Sequence, residues 1–177
     1  IPSNPADAKG LLKSAIRDDN PVIYFEHKAL FNTRGPVPDG EVLTPIGKAK
    51  VVREGSDVTL VSYSRCMGLS LEAADVLAGE GISVECIDLR SISPIDKETL
   101  LASVAKTTRL VVAHEAVKQG GVGAELSAIV AEEGIDLLDA PIVRVGAPFT
   151  PVPFARPLEQ AYRVTSEKIA EAVRGLF

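Results

Sequence analysis

Short apolar runs alternate with helical apolar spacing along most of the chain, and this alternation predicts most of its elements. Four runs are rich in β-branched residues and bounded by polar residues or glycine, which is typical of buried strands; they cover residues 58–63, 82–89, 110–113 and 142–145. Apolar residues at helical spacing follow each run, as at Ile169, Ala172, Val173 and Leu176. Four β–α units in a row predict an α/β fold with a mostly parallel sheet, helices on both faces and right-handed crossovers.

A helix and a strand are predicted ahead of these units. Asn4 can cap a helix that opens with Pro5, and the helical pattern ends before Pro21. The apolar run at residues 22–25 predicts a buried strand. One helix and one strand are too little for a domain, so we expect residues 1–30 to be a helix–strand remnant of a second α/β domain whose front is missing.

Glycine and proline interrupt the chain between these two parts. Gly35, Pro36, Pro38, Gly40 and Pro45 fall within residues 31–45, where neither periodicity continues. This composition predicts a linker. The domain organisation expected is therefore residues 1–30, a linker at 31–45, and a second domain at 46–177.

Composition narrows the classes of partner. The net charge of −5 with no basic block makes nucleic acid an unexpected partner. No apolar run approaches the ~20 residues of a membrane span, so no membrane partner is expected. Cys66 and Cys86 lack the spacing of a metal site, and we interpret them as reduced core thiols of an intracellular protein, in the cytoplasm or in the mitochondrial matrix of a eukaryote.

A glycine-rich turn follows the third predicted strand. His114 and Glu115 stand at the end of that strand, and Gly120, Gly121 and Gly123 come next. The G-x-G pattern is a weak dinucleotide signal, because Leu126 occupies the third glycine position and the strand is not the first of the sheet. Close packing of helix on strand is the favoured interpretation, with His114 as a hydrogen-bonded structural residue.

Candidate chemistry elsewhere is sparse. No glycine elbow frames the serines after the first of the four predicted strands, and a pair of Cys66 or Cys86 with His114 has little support. The end of the first helix offers carbonyl oxygens without intrahelical partners, and Asp18 and Asn20 add side-chain oxygens. Oxygen ligands suit a hard cation, although by chemistry alone a helix stop and a turn is the favoured interpretation.

Several motifs together resemble the β subunit of the 2-oxo acid dehydrogenases. They occur in consistent order from one end of the chain to the other: residues 2–12 (PSNPADAKGLL), 16–23 (IRDDNPVI), 54–61 (EGSDVTLV), 87–96 (IDLRSISPID), 114–125 (HEAVKQGGVGAE) and 138–141 (LDAP). The resemblance implies that residues 1–30 end a pyrimidine-binding domain. It also implies that residues 46–177 form a transketolase C-terminal-like domain.

The resemblance also implies an activity for the whole enzyme. Members form an α2β2 heterotetramer that binds thiamine diphosphate and Mg²⁺, decarboxylates a 2-oxo acid and passes the acyl group to a dihydrolipoyl acyltransferase core. Pyruvate is the expected substrate, with acetoin and branched-chain acids left open. The family's catalytic glutamate, histidine and aromatic residue match positions before Ile1, so no catalytic or cofactor-binding residue is assigned here. We expect the segment alone to be inert and to serve assembly and docking.

Two family sites do fall on this chain. A structural K⁺ site is implied at Ala15, Ile16, Asp18 and Asn20. A docking site for the basic subunit-binding domain of the acyltransferase is implied at Asp139 and at Phe177 with its terminal carboxylate; the alternative is a turn residue before Pro141 and a frayed end.

The glycine turn is interpreted as a subunit-packing surface. On this hypothesis, a bulky residue at Gly121 weakens assembly with the α subunit without unfolding the β chain.

Two other classes of protein stay open. One is another transketolase-like thiamine enzyme of the deoxyxylulose phosphate synthase type, in which one chain carries every domain. The other is a non-catalytic α/β binding module.

Overall fold

One five-stranded sheet forms the centre of the molecule in the computed structural model, which describes residues 1–177. The strands lie in the order β1-β3-β2-β4-β5, and only β1 is antiparallel to its neighbour. Their bounds are Lys50–Arg53 (β1), Val58–Ser62 (β2), Val84–Asp88 (β3), Leu110–Val117 (β4) and Val143–Ala147 (β5). The predicted mostly parallel α/β fold is confirmed.

Six helices surround the sheet or precede it: α1 (Pro5–Arg17), α2 (Arg65–Gly79), α3 (Lys97–Thr107), α4 (Val122–Glu133), α5 (Arg156–Tyr162) and α6 (Ser166–Arg174). Helices α2 and α6 cover one face, where Leu77, Ile169 and Val173 are buried with β2 and β3. Helices α3 and α4 cover the other face around Leu100 and Leu126. Because both faces are covered, β2 and β3 are buried along their whole length, as their continuous apolar runs predict.

The first helix begins where the sequence predicts. Asn4 accepts a hydrogen bond from the Asp7 amide through its side chain (2.9 Å), and Pro5 opens the helix. A short 3-10 turn at Lys28–Leu30 is the only regular element between α1 and β1. Residues 31–45 therefore contain neither helix nor strand.

The strand predicted at residues 22–25 is wrong. This segment is neither helix nor strand and forms no backbone–backbone hydrogen bond, and its apolar side chains are exposed, Ile23 to 79%. A strand needs a neighbouring strand to pair its amide and carbonyl groups, and no strand of this chain pairs with the segment.

The structure also contains two elements that the sequence pattern does not predict, and one strand is longer than predicted. Strand β1 is too short to carry a clear alternation, and it forms the antiparallel edge beside β3. Helix α5 begins at the end of a proline-rich loop at residues 147–157, because a proline is tolerated in the first helical turn. Strand β4 continues through Glu115 to Val117 where a polar turn is predicted. None of the helices is long and apolar enough to cross a membrane.

Candidate functional site

Polar side chains from three separate segments meet at the carboxyl end of the sheet. Glu115, near the end of β4, pairs with His27 (Oε2 to Nε2, 2.7 Å) and with Arg65 (Oε1 to Nη1, 2.6 Å). Arg65 begins α2, and His27 belongs to the segment before the linker. One carboxylate therefore joins that segment to the sheet and to a helix on its face.

Ser64 lies in the same cleft and has the backbone of a strained turn. It follows β2 with a φ of 54°, and its hydroxyl makes no hydrogen bond. A serine nucleophile needs a base with a free nitrogen. His27 offers none, because Nδ1 accepts from the Ala29 amide (3.1 Å) and Nε2 faces Glu115. This geometry gives Ser64 no activating partner.

His114 is a packing residue. Its side chain is fully buried, its Nδ1 lies 3.0 Å from the Ala116 carbonyl oxygen, and its ring stacks on Tyr63 with centroids 6.3 Å apart. Burial lowers the pKa of the imidazole, and Nε2 has no hydrogen-bond partner. The ring is therefore held neutral among apolar neighbours, as expected for a structural histidine.

The glycines after β4 make room for that ring. A Cβ on Gly123 would lie 2.5 Å from His114 Nε2, and one on Gly121 would lie 2.6 Å from the Val117 carbonyl oxygen. The close approach is therefore internal, between α4 and β4, as the packing interpretation predicts. The hypothesis that a bulky residue at Gly121 spares the fold is wrong, because that residue would strike the chain's own backbone.

Both cysteines are core residues. Cys66 and Cys86 are free and buried, and burial raises the pKa of each thiol to about 12. Neither sulfur forms a hydrogen bond with His114, whose nearest polar contact is the Ala116 carbonyl oxygen. Thiols kept protonated in this way are poor nucleophiles.

The predicted cation ligands lie together at the end of α1. Ala15 and Ile16 belong to its last turn, whose carbonyls lack intrahelical partners, and Asp18 is the C-cap. One Asp18 oxygen accepts from the backbone amide and the side-chain nitrogen of Asn20, both at 2.9 Å, and these bonds lower the pKa of the Asp18 carboxyl. The second carboxylate oxygen and the carbonyls form an oxygen-rich turn, which fits the donor set of a hard cation.

The two predicted partner-binding residues each contact the segment just before β4. The Asp139 amide donates to the Thr108 carbonyl oxygen (2.9 Å), and the Phe177 ring lies over Arg109, the next residue. The Asp139 side chain is exposed and makes no hydrogen bond or ion pair, and Phe177 is 61% exposed. Residues 38 positions apart are thus neighbours on one surface.

A polar joint holds α1 against the sheet, and sequence reasoning missed it. Asp7 pairs with the Arg90 guanidinium, and the Ser3 hydroxyl donates to Asp88 at the end of β3. Asp7 and Asp88 are both buried. Both acids lie in the motifs at residues 2–12 and 87–96, but helix and strand periodicity carry no information about which polar side chains meet.

Comparison with known proteins supplies the family context. Residues 47–169 match the family "Transketolase, C-terminal domain". A β subunit of a split-gene transketolase, solved as an inactive β4 tetramer, superposes with a TM-score of 0.67 at 31% identity; the match covers 76% of this chain and 44% of that one.

Sequence relatives extend the match over nearly the whole chain. The chain is 50% identical over 177 residues to the mitochondrial pyruvate dehydrogenase E1 component subunit beta of Dictyostelium discoideum, covering 98% of this chain and 50% of that protein. Two Bacillus subtilis proteins match as well. The acetoin:2,6-dichlorophenolindophenol oxidoreductase subunit beta is 47% identical (96% and 49% covered), and the 2-oxoisovalerate dehydrogenase subunit beta is 42% identical (99% and 54% covered). The chain spans about half the length of these relatives.

Proposed function

Since this chain belongs to the transketolase C-terminal domain family, we propose that it is the C-terminal part of the β subunit of a thiamine-diphosphate-dependent 2-oxo acid dehydrogenase acting on pyruvate. The observation that carries the proposal is the 50% identity to a pyruvate dehydrogenase β subunit across 98% of the chain. Other pyruvate dehydrogenase β subunits are 43–47% identical and two acetoin β subunits are 47% identical, so the identities support the enzyme class, and the choice of pyruvate follows the Dictyostelium discoideum relative.

The proposed domain organisation follows the location of the strands along the chain. Every strand lies between residues 50 and 147, and the segment before the linker is attached through side chains such as Glu115 and Arg90. We assign residues 1–30 to the end of a pyrimidine-binding domain, 31–45 to a linker and 46–177 to the transketolase C-terminal-like domain.

Within this proposal the segment serves assembly and docking. Thiamine diphosphate supplies the carbanion chemistry of decarboxylation, and with Mg²⁺ it is held by other segments and by an α subunit in an α2β2 tetramer. The glycine turn supports this assignment, because Gly121 and Gly123 serve the internal packing of α4 against β4 and His114. Two local roles remain for this chain: K⁺ at the turn that ends α1, and acyltransferase docking at Asp139 and Phe177.

The test is reconstitution. The full-length gene product is co-expressed with its α subunit, and reduction of an artificial electron acceptor is measured with pyruvate, 2-oxoisovalerate and acetoin. We expect the highest kcat/KM with pyruvate and no activity from residues 1–177 alone. Preference for acetoin would correct the substrate. Activity of the full gene product without any α subunit would favour the single-chain transketolase-like class.

A further inference from the structure

The ring of Phe177 rests on an unpaired cation. The guanidinium carbon of Arg109 lies 4.6 Å from the ring centroid. One Nη donates to the Asp57 carbonyl oxygen (3.4 Å), Nε is buried without a partner, and no carboxylate lies within ion-pair distance. Hydrogen bonds from Ser83 and Ser56 and the nearby charge of Arg109 lower the pKa of Asp57, but no acid forms an ion pair with Arg109, so the guanidinium is available to the face of the ring.

The backbone that carries Phe177 is also fixed. Its amide donates to the Arg174 carbonyl oxygen (3.2 Å), and the preceding Leu176 packs against the core. Arg174 forms a two-bond pair with Glu80 at the end of α2 (2.8 and 2.6 Å). The ring therefore reaches Arg109 from an anchored helix end, with one face covered and most of its surface in solvent.

A residue with an unpaired carboxylate is tied to the backbone next to Arg109. The Asp139 backbone is tied to Thr108, the residue before Arg109, while its side chain is exposed and uncommitted. A partner that meets both side chains would present a positive charge beside an apolar contact. The net charge of −5 on the chain agrees with a basic partner.

We propose that Arg109 is a positioning residue of a docking surface made by Asp139 and Phe177: its guanidinium holds the Phe177 ring as a preformed anchor for a basic protein domain. The inference rests on the docking role proposed above. Aromatic side chains are frequent binding hot spots, and an anchor fixed before binding loses less conformational entropy. Arg109 thus promotes binding of a partner of its own charge.

An electrostatic role and a positioning role of Arg109 predict opposite changes in affinity when the residue is removed. An experiment on the assembled enzyme can therefore distinguish them. The probe is the isolated basic subunit-binding domain of the acyltransferase, titrated by calorimetry at low salt. Arg109→Ala removes a like charge, so a purely electrostatic role predicts tighter binding. The positioning role predicts binding weaker by about 2- to 5-fold, the range of an exposed cation–π contact.

Matched variants separate the causes. Arg156→Ala removes the same charge from an exposed residue with no hydrogen bond or ion pair and should not weaken binding. In Phe177→Ala, adding Arg109→Ala should cause no further loss, because the two residues act as a unit. Arg109→Lys keeps the charge without the planar group, and its affinity for the domain should lie between those of the parent and Arg109→Ala.

Two results would overturn the inference in different ways. Unchanged or tighter binding by Arg109→Ala, with weaker binding by Phe177→Ala, removes the positioning role and leaves the docking role. Unchanged binding in both Phe177→Ala and Asp139→Asn removes the docking role and the inference with it, while leaving the reconstituted activity as the separate test of the enzyme class.

Discussion

The pKa values of two buried carboxyl groups in the polar joint, Asp7 and Asp88, are shifted in opposite directions. Burial raises the pKa of Asp88 to about 6, and the bonds from Ser3 and the Arg90 amide offset this only in part. Burial also opposes ionisation of Asp7, but hydrogen bonds from Arg90 and Asn4 hold its pKa below the usual value. One acid is therefore a destabilising charge at neutral pH, and its neighbour is a stabilising one.

Asp88→Asn is expected to change the pH dependence of stability. The pKa of an Asp is near 3.9 in the unfolded chain, whereas that of the folded Asp88 is about 6. The contribution of Asp88 to the free energy of unfolding is therefore fully present below pH ~4 and is lost as the pH rises through about 6. The variant should match the parent at pH 4 and exceed it by up to roughly 3 kcal/mol above pH 7. Urea denaturation from pH 4 to 8 measures this, with exposed Asp139→Asn as the charge control. A difference that does not vary with pH would refute it.

Gly123→Ala should destabilise the chain although alanine favours helices. The new Cβ would lie 2.5 Å from the His114 ring, which is fixed by stacking on Tyr63. We expect a loss of about 1–3 kcal/mol, as for other overpacked cores. Gly68→Ala is the matched control, because its Cβ meets nothing within 4 Å on the exposed side of α2, and it should gain up to ~1 kcal/mol. Equal denaturation midpoints for the two variants would contradict this account.

At the scale of elements, hydrophobic periodicity predicts the buried strands and the first helix. It does not predict strand pairing or contacts between residues far apart in the sequence. The buried runs of β2 and β3 and the cap at Asn4 are local signals, and all three were read correctly. The run at residues 22–25 has the same composition but no strand beside it. Docking of α1 by Asp7 and Arg90 depends on groups 83 residues apart, which no local pattern reports.

Helix α1 is expected to detach locally when the joint is broken. Among its apolar side chains only Leu11 is buried, so Arg90 provides much of its attachment. Arg90→Ala leaves Asp7 buried without its cation, a loss of about 3–5 kcal/mol in comparable pairs. Hydrogen exchange should quicken by roughly 100-fold or more in residues 5–17 and stay slow in β2 and β4. Arg17→Ala, which removes an exposed pair with Glu41, should change neither region. Uniformly faster exchange would mean that the joint supports the whole sheet.

The turn at the end of α1 makes a prediction about cations. If its oxygens hold K⁺ in the assembled enzyme, replacing Na⁺ by K⁺ should raise the thermal midpoint, and Asp18→Ala should reduce that rise. Asp19→Ala is the control, because Asp19 is an exposed neighbour with no hydrogen bond or ion pair. Identical midpoints in the two salts would leave Asp18 as a helix stop and a turn.

At the scale of the molecule, apolar exposure is unevenly placed. Eight of the exposed large hydrophobic side chains fall before β1: Leu12, Ile16, Val22, Ile23, Phe25, Phe31, Val37 and Leu43. Most others lie around the proline-rich loop and α5, while the helices that cover the sheet expose few. Exposed apolar side chains concentrated in one part of a chain mark a candidate interaction surface.

The chain of residues 1–177 should therefore self-associate through its first part. Ile23→Ser with Phe25→Ser should lower concentration-dependent association in sedimentation velocity and change stability by no more than ~0.5 kcal/mol, since both side chains are exposed. Val76→Ser, an exposed apolar residue on α2, should leave association as it was. Equal association of the parent and both variants would mean that the self-association surface lies elsewhere in the chain.

The polar joint has one more consequence, for how the chain could be divided. No hydrogen bond of the sheet ladder involves residues 1–45. Polar contacts from those residues to the rest of the chain come from Ile1, Ser3, Asp7 and His27. A nick in the linker would turn these intramolecular contacts into a bimolecular equilibrium. The dissociation constant of the two fragments would then report, at any chosen pH, the strength with which Asp7 and Asp88 fasten one half to the other.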